Sequence, residues 1–279
     1  MEVKGVIAMY RNHHKWYFTM IFVGVLTVGV FYLHTVTWGA VTQTNPDHEI
    51  QILKEKVAQA TRMLVRENLL ASSGHVSARI PGTNKVLIGP RDVSRAILQA
   101  DDLVTVDLDS HKVEGKRNPP RETEIHTGIY RARSDVMAVI HSHPVHSVIF
   151  SINQRPILPV TVHGAIFADG VPVLDHVGHV DSQELGDKLA RVLGPRQALL
   201  MKMHGAVIVG SSIEEAFVFA LHLEENAEKQ LWAEASGKVL AMTPDEVEES
   251  LSVAFGKSSI EKRWQYYREK EKMAMRRGR

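Results

Sequence analysis

The chain has 279 residues, with 44% apolar and 23% charged side chains, the balance of an ordinary globular protein with room for a sizeable core. Its net charge of +1 gives no electrostatic case for nucleic acid as a partner. The absence of cysteine excludes thiol catalysis, disulfides and Cys-type zinc sites.

The first feature in chain order is a run without Asp, Glu, Lys or Arg, residues 17–41. About 20 apolar residues span a bilayer core, and Tyr17 and Trp38 sit near the ends of the run, where aromatic belts lie. We read it as a single-pass transmembrane anchor preceded by a short segment, residues 1–16. Lys4, Arg11 and Lys15 precede the run and Asp47 and Glu49 follow it. The positive-inside rule then places the N-terminus in the cytoplasm and the domain on the periplasmic or extracytoplasmic side. A signal peptide, a buried helix and a cytoplasm-facing domain are the alternatives, although Trp38-Gly39-Ala40 is a poor cleavage site.

The main domain is expected over residues 42–256. Asn45-Pro46-Asp47 reads as a helix start, with proline in the first turn behind a capping Asn. Ile50, Leu53, Val57, Ala60 and Leu64 then form a helical stripe that ends between Asn68 and Gly74. Val76 to Ile80, Lys85 to Ile88 and Leu103 to Leu108 read as short strands, with a hairpin turn at Gly82-Thr83-Asn84. Pro119-Pro120 stops the chain before a helix from Glu122 to Arg133. Val136 to Ile140 is an apolar strand that runs into His141-Ser142-His143-Pro144. Ile157 to Val162 looks like a further strand, ending at His163-Gly164. Ser182 to Leu193 is helical. Ala198 to Met203 is apolar and ends at His204-Gly205. Ser212-x-x-Glu215 is a capping box opening a long helix that stops at Gly237, and Thr243-Pro244-Asp245-Glu246 opens another. Residues 257–279 carry nine Lys and Arg against three acids and read as a solvated basic tail. Trp264, Tyr266 and Tyr267 imply that part of it packs on something.

The chemistry lies in the histidines. Residues two apart on a strand share a face, so His141 and His143 aim their imidazoles at one point. His204 lies at the end of a second apolar run. Three neutral imidazoles leave open positions on a divalent metal, which suits a catalytic site rather than a closed structural one. No GxGxxG or Walker motif supports a nucleotide cofactor.

Together SGHVSARIPG, Glu122-x-x-x-His126, DVMAVIHSHP and HGAVIVG before a long helix resemble the class II aldolase/adducin family over roughly residues 50–240. The resemblance implies an α/β fold: three α/β/α layers around a mixed, largely antiparallel sheet. It also implies a homotetramer with sites at subunit interfaces. By position it makes His141, His143 and His204 the ligands of Zn2+, or of Mn2+, Fe2+ or Co2+, and Glu122 the catalytic acid/base. His126 would either orient Glu122 or be an interior histidine. The activity implied is a metal-dependent carbon–carbon lyase, an aldolase or a decarboxylase. Either cleavage leaves a carbanion beside a carbonyl, whose charge a Lewis-acid metal spreads as an enolate.

The small polar residues that hold phosphate in the family's sugar-phosphate enzymes are replaced here by His75, Pro90-Arg91-Asp92 and Pro120-Arg121. His163 stands where the aldolases carry a mobile tyrosine from a neighbouring subunit. Arginine forks match carboxylates as well as phosphates, and with the small polar cradle gone we read His75, Arg91, Arg121 and His163 as the substrate-binding set for a hydroxylated, carboxylated small molecule. Local salt bridges at the two arginines are the plainer alternative. A sugar-phosphate aldolase or 4-epimerase is one rival function, and a membrane-tethered adducin-like scaffold without catalysis is another.

Overall fold

The computed structural model describes residues 45–277. The expected anchor at residues 17–41 and the segment before it lie outside the described residues. No helix among the described residues is long and apolar enough to cross a membrane.

Helix α1 (Pro46–Arg66) begins as the sequence indicates, with the Asn45 side chain accepting from the Asp47 amide. Strands β1 (His75–Arg79), β2 (Lys85–Ile88), β3 (Val104–Asp107) and β4 (Lys112–Glu114) form an antiparallel meander. Helix α2 (Thr123–Ala132) leads into β5 (Ala138–Ser142), and α3 (Val145–Asn153) follows at once. After β6 (Val173–Leu174) come α4 (Gln183–Leu193), β7 (Ala198–Met201) and β8 (Gly205–Gly210). Three helices close the chain: α5 (Ile213–Ser236), α6 (Pro244–Ala254) and α7 (Lys257–Arg277).

The eight strands make one sheet, ordered β4-β3-β2-β1-β5-β8-β7-β6. Among the described residues only the β6–β7 pair is parallel, so the expected mixed, largely antiparallel sheet is present. Both faces are covered. Val76, Ala78, Ile140, Ala206, Ile208 and Leu200 point into one core with α1, α3 and α5–α7. Val139, Val207, Val209, Leu199 and Met201 point into the other, with α2 and α4. Burial on both faces explains why these strands read as continuous apolar runs rather than as alternating ones. Helices α2 and α4 approach at Gly128 and Gly186, where a Cβ on either would meet the other's backbone within 2.6 Å.

Several expectations need correction. Ile157 to Val162 is irregular and leads into a 3₁₀ turn over Val162–Phe167, not a strand. Leu158, Val160 and Thr161 hydrogen-bond to Asn226 and Gln230 of α5, which replaces ladder pairing. The Ser212 cap is one-sided: Ser212 Oγ accepts from Glu215 N, but the Glu215 carboxylate takes the amide of Ser211 instead. Thr243 and Glu246 do form the full reciprocal box. The basic tail is not a solvated appendage. In α7, Trp264 packs edge-on against Phe217 with ring centroids 5.3 Å apart. Its Glu271 is buried against α1, 2.6 Å from Arg62.

Candidate metal centre

Three loops converge on one point above the α2 side of the sheet. His141 lies at the end of β5, on the face that carries Val139, and is fully buried. Its Nδ1–H donates to the Ala206 carbonyl at 3.1 Å, leaving Nε2 buried with no hydrogen-bond partner. His143 follows the strand. Its backbone is pinned by the Leu69 carbonyl, and its Nδ1 lies 3.1 Å from Ser73 Oγ. His204 closes the β7–β8 turn, and its Nδ1 lies 3.1 Å from the Gly178 carbonyl. In each ring an oxygen lies against Nδ1, and at His141 and His204 that oxygen is a carbonyl, which takes the Nδ1 proton and leaves the Nε2 lone pair for another partner. That arrangement of outer partners is the one that orients metal-bound histidines. One ligand atom from each of the three lies within 4.8 Å of the other two.

The turn that delivers His204 is strained. Met203 adopts φ 56°, a conformation costing a non-glycine residue roughly 1–2 kcal/mol. Its amide is held by Ser151 Oγ of α3 at 3.0 Å. Helix α3 is itself anchored by Glu224 of α5, whose carboxylate accepts from the amides of His146 and Ser147 and from the Ser147 hydroxyl, all within 2.9 Å. That anchor fixes the chain directly after His143-Pro144. Gly205 leaves no room for a side chain. A Cβ there would lie 2.5 Å from the Ser142 carbonyl and 2.9 Å from both His141 Cε1 and His143 Cδ2. Gly205→Ala should push two of the three rings aside and weaken metal binding about 10–100-fold, the cost of disturbing a ligand's outer support. A chelator-competition titration reads the effect, and unchanged affinity would show that the rings have slack.

Glu122 is the residue just before α2, and its Oε2 faces the histidines, 3.5 Å from His141 Nε2 and 4.0 Å from His204 Nε2. Its Oε1 accepts from the Val180 amide at 3.2 Å and lies 3.4 Å from His179 Nδ1. Burial pushes this carboxyl up, but His141, the Val180 amide and His204 outweigh it and hold the pKa at about 2. Burial first, and the neighbouring imidazoles second, lower His143 to about 4 and lower His204 as well. His143 and His204 are therefore neutral beside an anionic carboxylate near neutral pH. This donor set, with a buried orphan nitrogen at its centre, fits a divalent metal.

His75 pairs across the β1–β5 ladder with His141, ring centroids 5.2 Å apart. His126 is an interior histidine: it bonds His75 and Ser77, not Glu122. Arg91 and Arg121 are exposed on two loops that the Arg91 amide ties to the Asn118 carbonyl at 3.0 Å. Neither arginine makes an ion pair among the described residues, so the local salt-bridge alternative finds no partner there. Within this chain His163 stands apart from the three histidines. It stacks on His222 at 4.0 Å, faces Glu225 at 2.9 Å, and meets Arg263 of α7 at 3.0 Å. It lines a cleft of about 640 Å³ that includes none of the three. Sequence reading missed the loop at 176–180. Two of its contributions are backbone atoms, the Gly178 carbonyl and the Val180 amide, which leave no side-chain trace in the sequence.

The description "Class II Aldolase and Adducin N-terminal domain" matches residues 55–231. The chain is 28% identical over 244 residues to a 3,4-dihydroxyphthalate decarboxylase of Arthrobacter keyseri, covering 82% of this chain and 95% of that protein. It is 31% identical over 181 residues to an L-fuculose phosphate aldolase of Methanocaldococcus jannaschii, covering 64% of this chain and 94% of the relative. Among solved structures, the L-fuculose 1-phosphate aldolase from Glaciozyma antarctica PI12 superposes with a TM-score of 0.74 at 22% identity. That match covers 84% of this chain and 93% of the other, and it shows the shared fold.

Proposed function

The chain belongs to the class II aldolase and adducin family, and we propose that it is a lyase that cleaves a carbon–carbon bond in a hydroxylated, carboxylated small molecule with the help of a divalent metal. One observation carries the reading: three imidazoles with Nδ1 tied back and Nε2 free converge on the point that the Glu122 carboxylate also faces. His141, His143 and His204 would hold the metal, zinc being the first candidate for a neutral tris-imidazole set. A metal held there supplies Lewis-acid polarisation to the oxygens of a bound substrate.

The chain's own residues do the rest. Glu122, fixed by the Val180 amide, takes a proton from a substrate hydroxyl or returns one to carbon. His75, Arg91 and Arg121 supply hydrogen bonds and charge for substrate carboxylates. The replacement of the small polar phosphate cradle by His75, Arg91 and Arg121 favours a carboxylated substrate over a phosphorylated sugar, as does the decarboxylase relative, whose match spans 82% of the chain. A sugar-phosphate aldolase is the second reading, favoured by the archaeal aldolase, which the match covers almost end to end. The adducin-like scaffold loses ground because the three histidines converge with Glu122 in a group that could hold a metal. The family supports a homotetramer, in which His163 would reach a neighbouring site. The sequence of residues 17–41 alone supports the membrane anchor.

The metal-loaded protein, incubated with a panel of hydroxylated aromatic acids and of phosphorylated sugars, separates the readings. We expect CO₂ from the acids. Aldehyde release from the sugar phosphates alone would overturn the decarboxylase reading, and no turnover of either class would return the scaffold.

A further inference from the structure

Glu122, His126 and Tyr130 are spaced i, i+4, i+8, and helix α2 turns that stripe towards the sheet. The last two enter a chain of hydrogen bonds that the reaction does not require. Tyr130 Oη lies 2.9 Å from Ser77 Oγ, and Ser77 Oγ lies 2.6 Å from His126 Nδ1. His126 Nε2 lies 2.8 Å from His75 Nδ1. Tyr130, Ser77 and His126 are almost wholly buried, and His75 is 5% exposed. His75 Nε2 has no hydrogen-bond partner among the described residues, yet it is not one of the sealed orphan atoms. It is the open end of the chain, on a ring beside His141.

The chain has a direction. A buried hydroxyl must donate or lose the value of its hydrogen bond. The Tyr130 hydroxyl faces Ser77 Oγ and the Val139 backbone, and since the Val139 amide can only donate, the phenol proton goes to Ser77 Oγ. Ser77 then spends its own proton on His126 Nδ1 at 2.6 Å rather than on the Val139 carbonyl at 3.5 Å. His126 is neutral, its pKa held at about 3 chiefly by burial. With Nδ1 accepting, its proton sits on Nε2 and goes to His75 Nδ1. A neutral His75 that accepts at Nδ1 carries its proton on Nε2. The inner end is closed at Tyr130, so no proton passes through, and what the chain transmits is a choice of tautomer.

We propose that Tyr130, Ser77 and His126 are positioning residues that lock His75 as an Nε2–H donor beside the metal-binding histidines, where it selects for a negatively charged substrate oxygen. The selection for an anionic oxygen rests on the lyase reading above, whereas the tautomer does not. A donor-only group there discriminates against substrates that present a hydroxyl proton at that position and favours carboxylates. This gives His75 a role distinct from that of the arginines, which supply charge without fixing where the proton lies.

The test is ¹⁵N NMR of the full chain labelled at histidine, with imidazole tautomers read from the two ring-nitrogen shifts. Wild type should show His75 and His126 both protonated at Nε2. Tyr130→Phe, which removes only the hydroxyl, should leave a mixture of tautomers at both rings. Ser77→Ala should do the same if the phenylalanine variant folds poorly. A wild-type His75 protonated at Nδ1, or an unchanged single tautomer in both variants, overturns the lock.

The second arm uses oxalate as the carboxylate probe on zinc-loaded protein. Oxalate should shift the His75 Nε2 resonance, and His75→Phe should weaken oxalate about tenfold or more, as loss of a hydrogen bond to a charged group does. Equal affinity in the variant overturns the selecting role while leaving the lyase reading intact. Failure of oxalate to bind wild type, with the tautomer as expected, overturns the carboxylate reading and leaves the lock standing.

Discussion

Glu122→Gln should reduce kcat by about 10²–10⁴-fold, the usual contribution of a positioned acid/base, while the protein keeps its full complement of metal. The substitution is nearly isosteric. The amide oxygen can still accept from the Val180 amide, so the start of α2 and the 176–180 loop should keep their places. What is lost is the anionic Oε2 that faces His141 and His204 at 3.5 and 4.0 Å. Steady-state kinetics beside elemental analysis of the same preparation check this. If kcat falls together with metal content, Glu122 is a ligand or a structural prop. If kcat is unchanged, the proton is moved by another group, and His179, 3.4 Å from the same carboxylate, is next in line.

Much of this site can be read in the sequence, for a physical reason. The β5 and β7 runs are buried on both faces, so each histidine that ends an apolar run marks where a strand leaves the core, and strand ends are where open metal positions can exist. The i, i+2 spacing in His141-Ser142-His143 shows that two imidazoles start from one face, and the stripe Glu122, His126, Tyr130 is visible from helical spacing. The limits are equally physical. Ile157 to Val162 has the apolar character of a strand but no free ladder, because Asn226 and Gln230 of α5 occupy its backbone. Helix α3 was missed because its start is stabilised from a distance: no capping side chain of its own satisfies the first amides, and Glu224, almost eighty residues later in the chain, does so instead. His126 looked like a partner for Glu122 because both lie on one face. Only the structure shows that its two nitrogens are already taken by His75 and Ser77.

His204→Ala should give the largest loss of all: metal affinity reduced well beyond the roughly 10–100-fold that removal of an outer partner costs, with turnover falling to background. Ser73→Ala is the comparison, since it deletes only the hydroxyl that holds His143 Nδ1 and should fall within that range. The ranking follows from what each change leaves behind. Without Ser73 the three Nε2 atoms remain, and one ring gains freedom. Without His204 only two imidazoles remain, and both come from the short segment His141-Ser142-His143. Nothing then closes the site from the β7–β8 side, where Met203 holds a left-handed conformation at some cost in free energy. The His204 ring ties back to the fold at the exposed Gly178 carbonyl, which gives His204→Ala a second signature: the fold should lose little stability in the absence of metal, while the stabilisation that metal confers on wild type should vanish. Thermal melts with and without zinc, run beside elemental analysis after dialysis, separate the two effects. If His204→Ala still binds one metal per chain at wild-type affinity, the donor set is a different one, and the Glu122, His179, His204 grouping fails with it, leaving His141 and His143 to be paired with a group not yet assigned.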